Sequence, residues 1–199
     1  MEKKNETKKI IPQELLIVAY QNGVFPMGEK NNDIINWYFP NPRAILPLKN
    51  FKISRSLKQV LKKNKFQIKI NSSFNEVIKN CADRKETWVS QIIIDSYISL
   101  YKNGFAHSVE TWENGNLVGA LYGVAIGSAF FGESMYSKVS NASKIALYYL
   151  VERLKEKKFT LLEIQFLTEH LKKFGGIEID SESYLTILKN AVRKKRKFI

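Results

Sequence analysis

The stretch HSVETWENGNLVGALYGVAIGSAFFGESM, residues 107–135, contains the clearest sequence signal for the fold. His107–Trp112 and the apolar run that begins at Leu117 have the composition of β-strands. The residues between them, 113–116, contain Asn-Gly, and this pair between two apolar runs is typical of a tight β-hairpin. A third strand is predicted from about Ala129 to Met135. The sequence therefore places an antiparallel set of strands in the middle of the chain.

Helices and shorter strands are predicted on both sides of the hairpin. Ser54 can cap the N-terminus of a helix and Gly104 can stop one. Strands are predicted at Ile45-Leu46, Phe66–Ile70, Phe159–Ile164 and Ile177–Ile179, and helices at Gln13–Tyr20, Ser54 to about Lys63, Ser73–Cys81, Ser90–Asn103, from Asn141 or Ser143 through Leu154, Leu167–Phe174 and from a cap at Ser181 or Ser183. This order predicts an α+β fold, with a central and mostly antiparallel sheet flanked by helices.

The first forty residues differ from the rest in composition. Residues 1–9 are polar and Lys-rich, and we expect them to fray. Four of the five prolines follow, namely Pro26, Pro40, Pro42 and Pro47, which indicates loops and short edge strands. We therefore predict a small N-terminal subdomain over residues 1–41 and a larger domain over 42–199.

The charge balance indicates an anionic partner. The chain has 32 Lys and Arg against 19 Asp and Glu, a net charge of +13, so nucleic acid and membrane surfaces are the leading candidates. A generally Lys-rich proteome explains the same composition equally well. The single cysteine, Cys81, excludes an internal disulfide, and no apolar signal segment follows the charged N-terminus. We expect a cytoplasmic protein.

A basic strip narrows the choice of partner. Residues 51–65 contain no acid, and on the predicted helix three cations share one face while Leu57 and Leu61 face the core. An ordinary exposed face mixes charges of both signs, so this one favours a phosphate backbone. The tail 193–197 is a weaker candidate of the same kind. The basic side chains of the strip are Lys52, Arg55, Lys58, Lys62, Lys63 and Lys65.

Few residues have the pattern of a reaction site. Glu133 lies among aromatic and sulfur-containing neighbours, where a carboxylate is either paired with a cation or raised in pKa. Glu163 and Gln165 are two apart at the end of a predicted strand, so they share a face; a carboxylate can then hold the amide so that its oxygen accepts a hydrogen bond from an attacking amine. An ordinary polar pair at a strand end explains the second pattern as well.

Other chemical signatures are missing from the sequence. There is no phosphate-binding loop ending in Gly-Lys, no dinucleotide fingerprint and no paired-His metal motif, so we expect neither a metal nor a cofactor. Trp37, Tyr38 and Trp88 fall in predicted loops, where an aromatic ring either stacks on an unpaired base or covers a small core. Nothing indicates an obligate interface, so a monomer is expected.

Several short motifs occur in an order and spacing that resemble one known family. They extend from Ala19-Tyr20 to His170-Leu171 and include Gly23-Val24-Phe25-Pro26, Trp37-Tyr38, Pro40-Asn41-Pro42-Arg43-Ala44, Ile53-Ser54-Arg55-Ser56-Leu57, Thr87-Trp88, Ala106-His107-Ser108-Val109-Glu110, Gly132-Glu133-Ser134-Met135, Asn141-Ala142-Ser143-Lys144, Gln165 and Thr168. Together they resemble the leucyl/phenylalanyl-tRNA–protein transferase family from about residue 19 to residue 190.

The resemblance implies an activity and a fold. Members of the family transfer Leu or Phe from aminoacyl-tRNA to the N-terminal amine of a protein that begins with Arg or Lys, which marks that protein for degradation in bacteria. The implied partners are therefore an aminoacyl-tRNA and an acceptor protein. The larger domain would resemble the acetyltransferase (GNAT) fold. An ester becomes an amide without ATP or metal, so the protein mainly has to position the two reactants.

The resemblance also implies roles for single residues. Gln165 would orient or accept a hydrogen from the attacking amine, with Glu163 polarising it, and Glu133 would bind a cationic group of the acceptor or the donor. Trp88 would contact the terminal adenosine. Lys52, Arg55, Lys58 and Lys62 would meet phosphates of the acceptor stem, and the donor side chain would lie against Leu121, Phe130, Leu147, Leu150, Leu154 and Leu162.

The sequence departs from the family pattern at several of these positions. Glu163 stands where Asp is usual, and Met27 stands where a tryptophan usually follows Phe-Pro and would stack on adenosine. Leu150 and Leu154 stand where larger aromatic residues occur, which predicts a reshaped donor pocket. A different donor or acceptor within the same reaction class is therefore one alternative.

Two further alternatives come from other classes. An acyl-CoA N-acetyltransferase would need a Gly-rich loop before a helix to bind pyrophosphate, and residues 140–144 contain no glycine. A non-catalytic RNA-binding module would keep the basic face and would not need Gln165.

Overall fold

The computed structural model describes residues 9–29, 33–84 and 87–199. Most of the predicted frayed start therefore lies outside the described residues. The helices are α1 (Gln13–Gln21), α2 (Arg55–Lys62), α3 (Phe74–Ala82), α4 (Gln91–Lys102), α5 (Ala142–Glu156), α6 (Glu169–Lys172) and α7 (Ser181–Val192), with a 3-10 turn at Leu48–Asn50. The strands are β1 (Phe25–Gly28), β2 (Ile35–Tyr38), β3 (Arg43–Ile45), β4 (Gln67–Ile70), β5 (Ala106–Glu113), β6 (Asn116–Ile126), β7 (Ala129–Ser137), β8 (Leu161–Glu163) and β9 (Ile177–Ile179).

Seven strands form one sheet in the order β4-β5-β6-β7-β8-β3-β9. Every neighbouring pair is antiparallel except β7 and β8, which are joined by the crossover through α5. The predicted α+β architecture with a mostly antiparallel sheet is confirmed. β1 and β2 form a separate two-stranded sheet near the N-terminus, and the predicted domain boundary at residue 41 stays a prediction.

The hairpin predicted at residues 113–116 connects β5 to β6. Asn114 and Gly115 both have positive φ, 51° and 77°, which is the backbone of a tight hairpin turn and explains the Asn-Gly pair. Gly119, further along β6, permits a close approach: a Cβ there would lie 2.5 Å from the Cβ of Ala142, the first residue of α5. The start of α5 is therefore held directly against the central strand.

The sheet separates two apolar cores. One contains buried side chains from α1, α3, α4 and α7, among them Tyr20 and Tyr97. The other contains those of α2 and α5, together with Phe174 and the C-terminal Phe198. Because α1 packs in the first core beside residues of β6 and β7, the N-terminal segment can deliver side chains to the middle of the sheet. No helix in the described part of the chain is both long and apolar enough to cross a bilayer.

Several predicted boundaries need correction. The last helix is capped by Asp180, whose side chain accepts a hydrogen bond from the Ser183 N–H at 2.8 Å, and not by Ser181 or Ser183. The helix predicted over Leu167–Phe174 is reduced to α6, and the strand predicted over Phe159–Ile164 is reduced to β8. Trp37 and Tyr38 lie in a strand rather than a loop. Apolar patterns locate an element, but caps and strand partners set its ends.

Candidate active site

One open pocket of about 320 Å³ lies where the middle of the sheet meets the middle of α5 and the segment after β8. Apolar and aromatic side chains form most of its wall, and Glu133 of β7 and Gln165, which follows β8, are among the polar side chains that line it. Such a largely apolar pocket with a few convergent polar groups is typical of a small-ligand site. Its lining residues are Arg84, Trp88, Leu121, Tyr122, Gly132, Glu133, Ser134, Met135, Leu147, Leu150, Leu162, Ile164, Gln165, Phe166, Thr168, His170 and Leu171.

A β-bulge places Glu133 in this pocket. Tyr122 of β6 pairs with Ser134 of β7, whereas the next residue, Gly123, pairs with Gly132. Glu133 is therefore the extra residue on β7. A bulge interrupts the alternation of side chains along a strand and is common beside active sites, where it redirects one side chain. Sequence periodicity alone does not predict this bulge.

Glu133 is buried and is held by neutral donors. The Tyr20 hydroxyl donates to one carboxylate oxygen at 2.5 Å, and the Gln165 Nε2 donates to the other at 3.0 Å. The hydroxyls of Tyr20 and Tyr97 are themselves in contact. Burial raises the pKa of Glu133 to about 8, and the hydrogen bond from Tyr20 opposes that rise. The group is therefore poised to change charge near neutral pH.

Gln165 has a backbone conformation that alternation along a strand does not predict. β8 ends at Glu163, and Gln165 has a φ of 61°, in the left-handed region that a residue with a side chain seldom adopts. Its main-chain N–H donates to the Glu163 Oε1 at 2.5 Å, which stabilises this turn. Its amide nitrogen faces Glu133, so the amide oxygen is the atom left to accept a hydrogen bond from a ligand.

Glu163 forms a buried ion pair with Arg43. The Arg43 Nε lies 3.0 Å from the Glu163 Oε1, and both side chains are almost fully buried. The guanidinium of Arg43 lies between the rings of Phe25 and Tyr184, 4.8 Å and 4.6 Å from their centroids. Burial raises the pKa of the Glu163 carboxyl, and the neighbouring guanidinium opposes this rise. Glu163 is thus the counter-ion of a permanent buried cation.

These contacts correct one expectation about the two carboxylates. Glu163 and Gln165 were expected to share a strand face, with Glu163 holding the amide. Glu163 instead contacts only the main chain of Gln165, and Glu133 from the neighbouring strand holds the amide. The reason is the left-handed backbone at Gln165, which lies beyond the end of the strand. Side chains no longer alternate between the two faces of the sheet at this point.

The structure divides the expected donor-pocket residues into two groups. Leu121, Leu147, Leu150 and Leu162 line the pocket. Phe130 and Leu154 are fully buried and lie in the core behind that wall, where Phe130 packs on Phe198 with ring centroids 5.2 Å apart. The spacing on α5 places all three of its leucines on the sheet side, but only the first two reach the open end of the pocket.

The residues expected to contact adenosine are also separated. Trp88 lines the pocket, in the loop that precedes α4. Met27 lies in β1 and packs on the core that contains α1, away from the pocket lining. Arg84 also lines the pocket and donates to the Ser134 Oγ at 3.1 Å.

Several residues of the pocket wall were not predicted as site residues. They include Arg84, Phe166, Thr168 and His170. Thr168 and His170 belong to the motif set that carried the family resemblance, so a signal for them was present. Arg84 and Phe166 lie in no pattern that the sequence alone distinguishes.

The basic helix lies outside the pocket. The Ser54 Oγ accepts a hydrogen bond from the Leu57 N–H at 3.1 Å and begins α2 as predicted. Leu57 is buried, whereas Lys52, Arg55, Lys58 and Lys62 are all exposed. None of these four cations forms an ion pair with a described residue. Within residues 9–29, 33–84 and 87–199, no group of three or more His, Cys, Asp or Glu is placed to hold a metal ion.

Comparison with known proteins gives concordant family matches. Residues 45–189 match the family model described as leucyl/phenylalanyl-tRNA protein transferase, and residues 11–41 match the model of its N-terminal domain. A leucyl/phenylalanyl-tRNA–protein transferase of Gloeobacter violaceus is 48% identical over 185 residues, covering 93% of this chain and 96% of that protein. The protein of the same name from Herpetosiphon aurantiacus is 46% identical over 188 residues, covering 94% and 97%.

Solved structures overlap only in part. A GCN5-related N-acetyltransferase-like protein from Streptococcus suis has 11% identity and a TM-score of 0.40, over 84% of this chain and 64% of that one. The structure of L-PGS from Bacillus licheniformis has 17% identity and a TM-score of 0.43, over 80% and 55%.

Proposed function

Because the chain belongs to the leucyl/phenylalanyl-tRNA protein transferase family, we propose that it transfers Leu or Phe from aminoacyl-tRNA to the N-terminal amine of proteins that begin with Arg or Lys. The observation that supports this most directly is the hydrogen-bonded pair of Gln165 and Glu133 at the end of a leucine-lined pocket. In this pair an amide oxygen and a buried carboxyl group face the same small space. That space is where an amine has to meet an ester carbonyl.

The reaction forms one bond and breaks one. The acceptor nitrogen attacks the ester carbonyl, a C–N bond forms, the C–O bond to the terminal ribose breaks, and the amine proton ends on the ribose hydroxyl. The ester is already activated, so no nucleotide is consumed. The Gln165 Oε1 accepts a hydrogen bond from the attacking amine and fixes its lone pair toward the carbonyl. Such positioning of two bound reactants can supply a large part of the rate enhancement.

In this proposal Glu133 binds a cationic group of a substrate through its negative charge. Tyr20 and Gln165, which donate hydrogen bonds to its two carboxylate oxygens, are both neutral. A cationic group of a substrate, either the acceptor side chain or the donor amine, would lower the pKa of Glu133 and bind the ionised form. At the same time Glu133 keeps the amide of Gln165 in the orientation that exposes its oxygen.

The pocket wall supports an apolar donor side chain. Leu121, Leu147, Leu150 and Leu162 present only hydrocarbon to the interior, and a Leu or Phe side chain gains free energy by leaving water there. Polar and charged side chains would lose their hydration without a partner. Trp88 stands at the pocket lining where the terminal adenine can stack.

The tRNA body would rest on α2. Lys52, Arg55, Lys58 and Lys62 are exposed and unpaired with any described carboxylate, so their charge is available to acceptor-stem phosphates. We place the reaction in the cytoplasm, where charged tRNA is found, and take a monomer as the acting form. The acceptor is thereby marked for degradation through its new N-terminal residue.

The test is a transfer assay with tRNAs charged with each radiolabelled amino acid in turn. The acceptor is a peptide that begins with Lys or Arg, and the matched control is the same peptide with its N-terminal amine acetylated. We expect label on the free peptide from Leu- or Phe-tRNA and none on the blocked peptide. Transfer of label from acetyl-CoA alone would establish the acetyltransferase alternative. Tight tRNA binding without any transfer would establish the RNA-binding module.

A further inference from the structure

A second group of basic side chains lies between the pocket and the basic helix. His170 of α6 lines the pocket. Lys144 of α5 lies one turn before Leu147, which is another lining residue, so both side chains are on the pocket side of that helix. Lys173 follows α6 directly. We refer to Lys144, His170 and Lys173 as the bridge cluster.

Aromatic packing connects the bridge cluster to the start of α2. The ring of His170 contacts Phe174 edge-on, with centroids 5.2 Å apart. Phe174 in turn stacks on Phe51 at 5.6 Å, with the two rings nearly parallel at 7°. The N–H of Lys52 donates to the Phe174 carbonyl at 2.9 Å. The basic side chains of the cluster and those of the basic helix are therefore held on one continuous packed surface.

The two lysines of the bridge cluster form no direct ion pair with a described carboxylate. Burial lowers the pKa of His170, and the positive charges of Lys144 and Lys173 lower it further, so the ring is mostly neutral at pH 7 and takes part as a hydrogen-bond donor. The Lys144 Nζ donates to the neutral Asn141 Oδ1 at 3.0 Å. Neither Lys144 nor Lys173 has an ion pair with a carboxylate of the described residues. By contrast, the adjacent Lys172 pairs with Glu169 at 2.7 Å.

A strand of phosphates fits this arrangement better than another anion. Like charges are kept together at a cost in free energy, which an extended polyanion recovers when it neutralises several of them at once. The surface ends at a pocket with an aromatic side chain, Trp88, and begins at the helix proposed to meet the acceptor stem. In a tRNA, the segment between a paired stem and a terminal adenosine is single-stranded.

We propose that Lys144, His170 and Lys173 bind the phosphodiester groups of the single-stranded 3′ end of the donor tRNA, between the basic helix and the pocket. The inference rests on the proposed transferase function and extends it to the path of the RNA. The cluster would guide the aminoacylated 3′ end of the tRNA into the pocket. The basic helix would hold the paired stem independently of it.

The experiment compares two tRNA ligands on three proteins. The ligands are an intact uncharged tRNA and the same tRNA without its last four nucleotides. The proteins are the wild type, the double variant Lys144→Gln/Lys173→Gln, and the control Lys172→Gln, which removes a neighbouring lysine that is already paired. Dissociation constants are measured by fluorescence anisotropy over a series of salt concentrations.

The double variant should bind the intact tRNA on the order of tenfold more weakly, with a salt slope smaller by about 1.4, because each single-strand phosphate contact contributes about 0.7. Its affinity for the truncated tRNA should match that of the wild type, which also reports an intact fold. The control should follow the wild type on both ligands. Equal losses on both tRNAs, or no loss on either, would overturn the proposal.

The same measurements distinguish this inference from the proposed function. A wild-type protein that binds the intact tRNA more tightly than the truncated one, but transfers no amino acid, leaves the RNA path standing and rejects the transferase. A wild-type protein that transfers Leu yet binds both tRNAs equally rejects the RNA path alone.

Discussion

Glu133 and Glu163 are buried carboxyl groups on neighbouring strands of one sheet, and their partners differ completely. Glu163 faces the guanidinium of Arg43, which never loses its proton, and both groups are closed off from solvent. Glu133 faces a tyrosine hydroxyl and an amide, and it lines an open pocket. The first carboxylate is neutralised by the fold itself. The second is held by neutral donors, and burial raises its pKa to about 8.

Removing the cation at Glu163 should have the largest effect on stability. Arg43→Leu leaves the Glu163 carboxylate buried without its counter-ion, so the free energy of unfolding should fall by about 3–5 kcal/mol. Urea denaturation followed by circular dichroism measures this loss.

The double variant Arg43→Leu/Glu163→Gln provides the control. It removes both charges and keeps an oxygen that can accept the Gln165 N–H, so it should recover a large part of the stability. A double variant as unstable as the single one would show that packing of Arg43 between its two rings matters more than the charge.

Removing the Gln165 amide, which donates a hydrogen bond to Glu133, should affect the reaction and not the fold. Gln165→Ala should lower kcat for transfer by about a hundredfold, at the lower end of what a positioned proton acceptor contributes. The dissociation constant for tRNA should stay that of the wild type, because the side chain lies inside the pocket and away from α2. Single-turnover transfer and tRNA binding are measured on the same preparation. An unchanged kcat would remove Gln165 from the mechanism.

A dependence of stability on pH should also belong to Glu133. Below its ordinary pKa of 4.5, the carboxyl group is protonated in both the folded and the unfolded state, so its burial costs little. Between 4.5 and about 8 the unfolded state ionises and the folded state keeps its proton, so stability falls as pH rises. The upper limit of this loss is about 1.4 kcal/mol for each pH unit in that window.

The variant Glu133→Gln should lack this dependence. Unfolding free energies of the wild type and the variant are compared at pH 5 and pH 7.5 without ligand. The stability of the wild type relative to the variant should decrease between the two values. A constant difference would mean that Glu133 is already ionised at pH 5 in the folded protein.

The sequence was informative about elements and much less so about contacts between them. Asn114-Gly115, Ser54 and Gly104 predict a turn, a cap and a helix end from chemistry within a few residues, and the structure has each of them. The same local reasoning chose the wrong cap for the last helix, because Asp180, Ser181 and Ser183 are all good capping residues and only the backbone geometry selects one.

Contacts within the reaction site were harder to predict from the sequence than the elements of the fold. Glu133 and Gln165 were both identified, but their mutual contact was not, since it joins residues 32 positions apart through the parallel pairing of β7 and β8. Phe130 and Leu154 have the same apolar character as the lining leucines, and only packing places them behind the wall. Composition does not distinguish a side chain that lines a pocket from one that supports it.

By itself the sequence determined the α+β order of elements, the basic face of α2, the family and the choice of Glu133, Glu163 and Gln165 as candidate site residues. Each of these depends on local period, local charge or the spacing of motifs. Only the tertiary structure decided that Glu133 orients Gln165 while Glu163 neutralises Arg43. That division depends on a bulge in β7, a left-handed residue after β8 and a tyrosine from α1, and these come together only when distant segments pack.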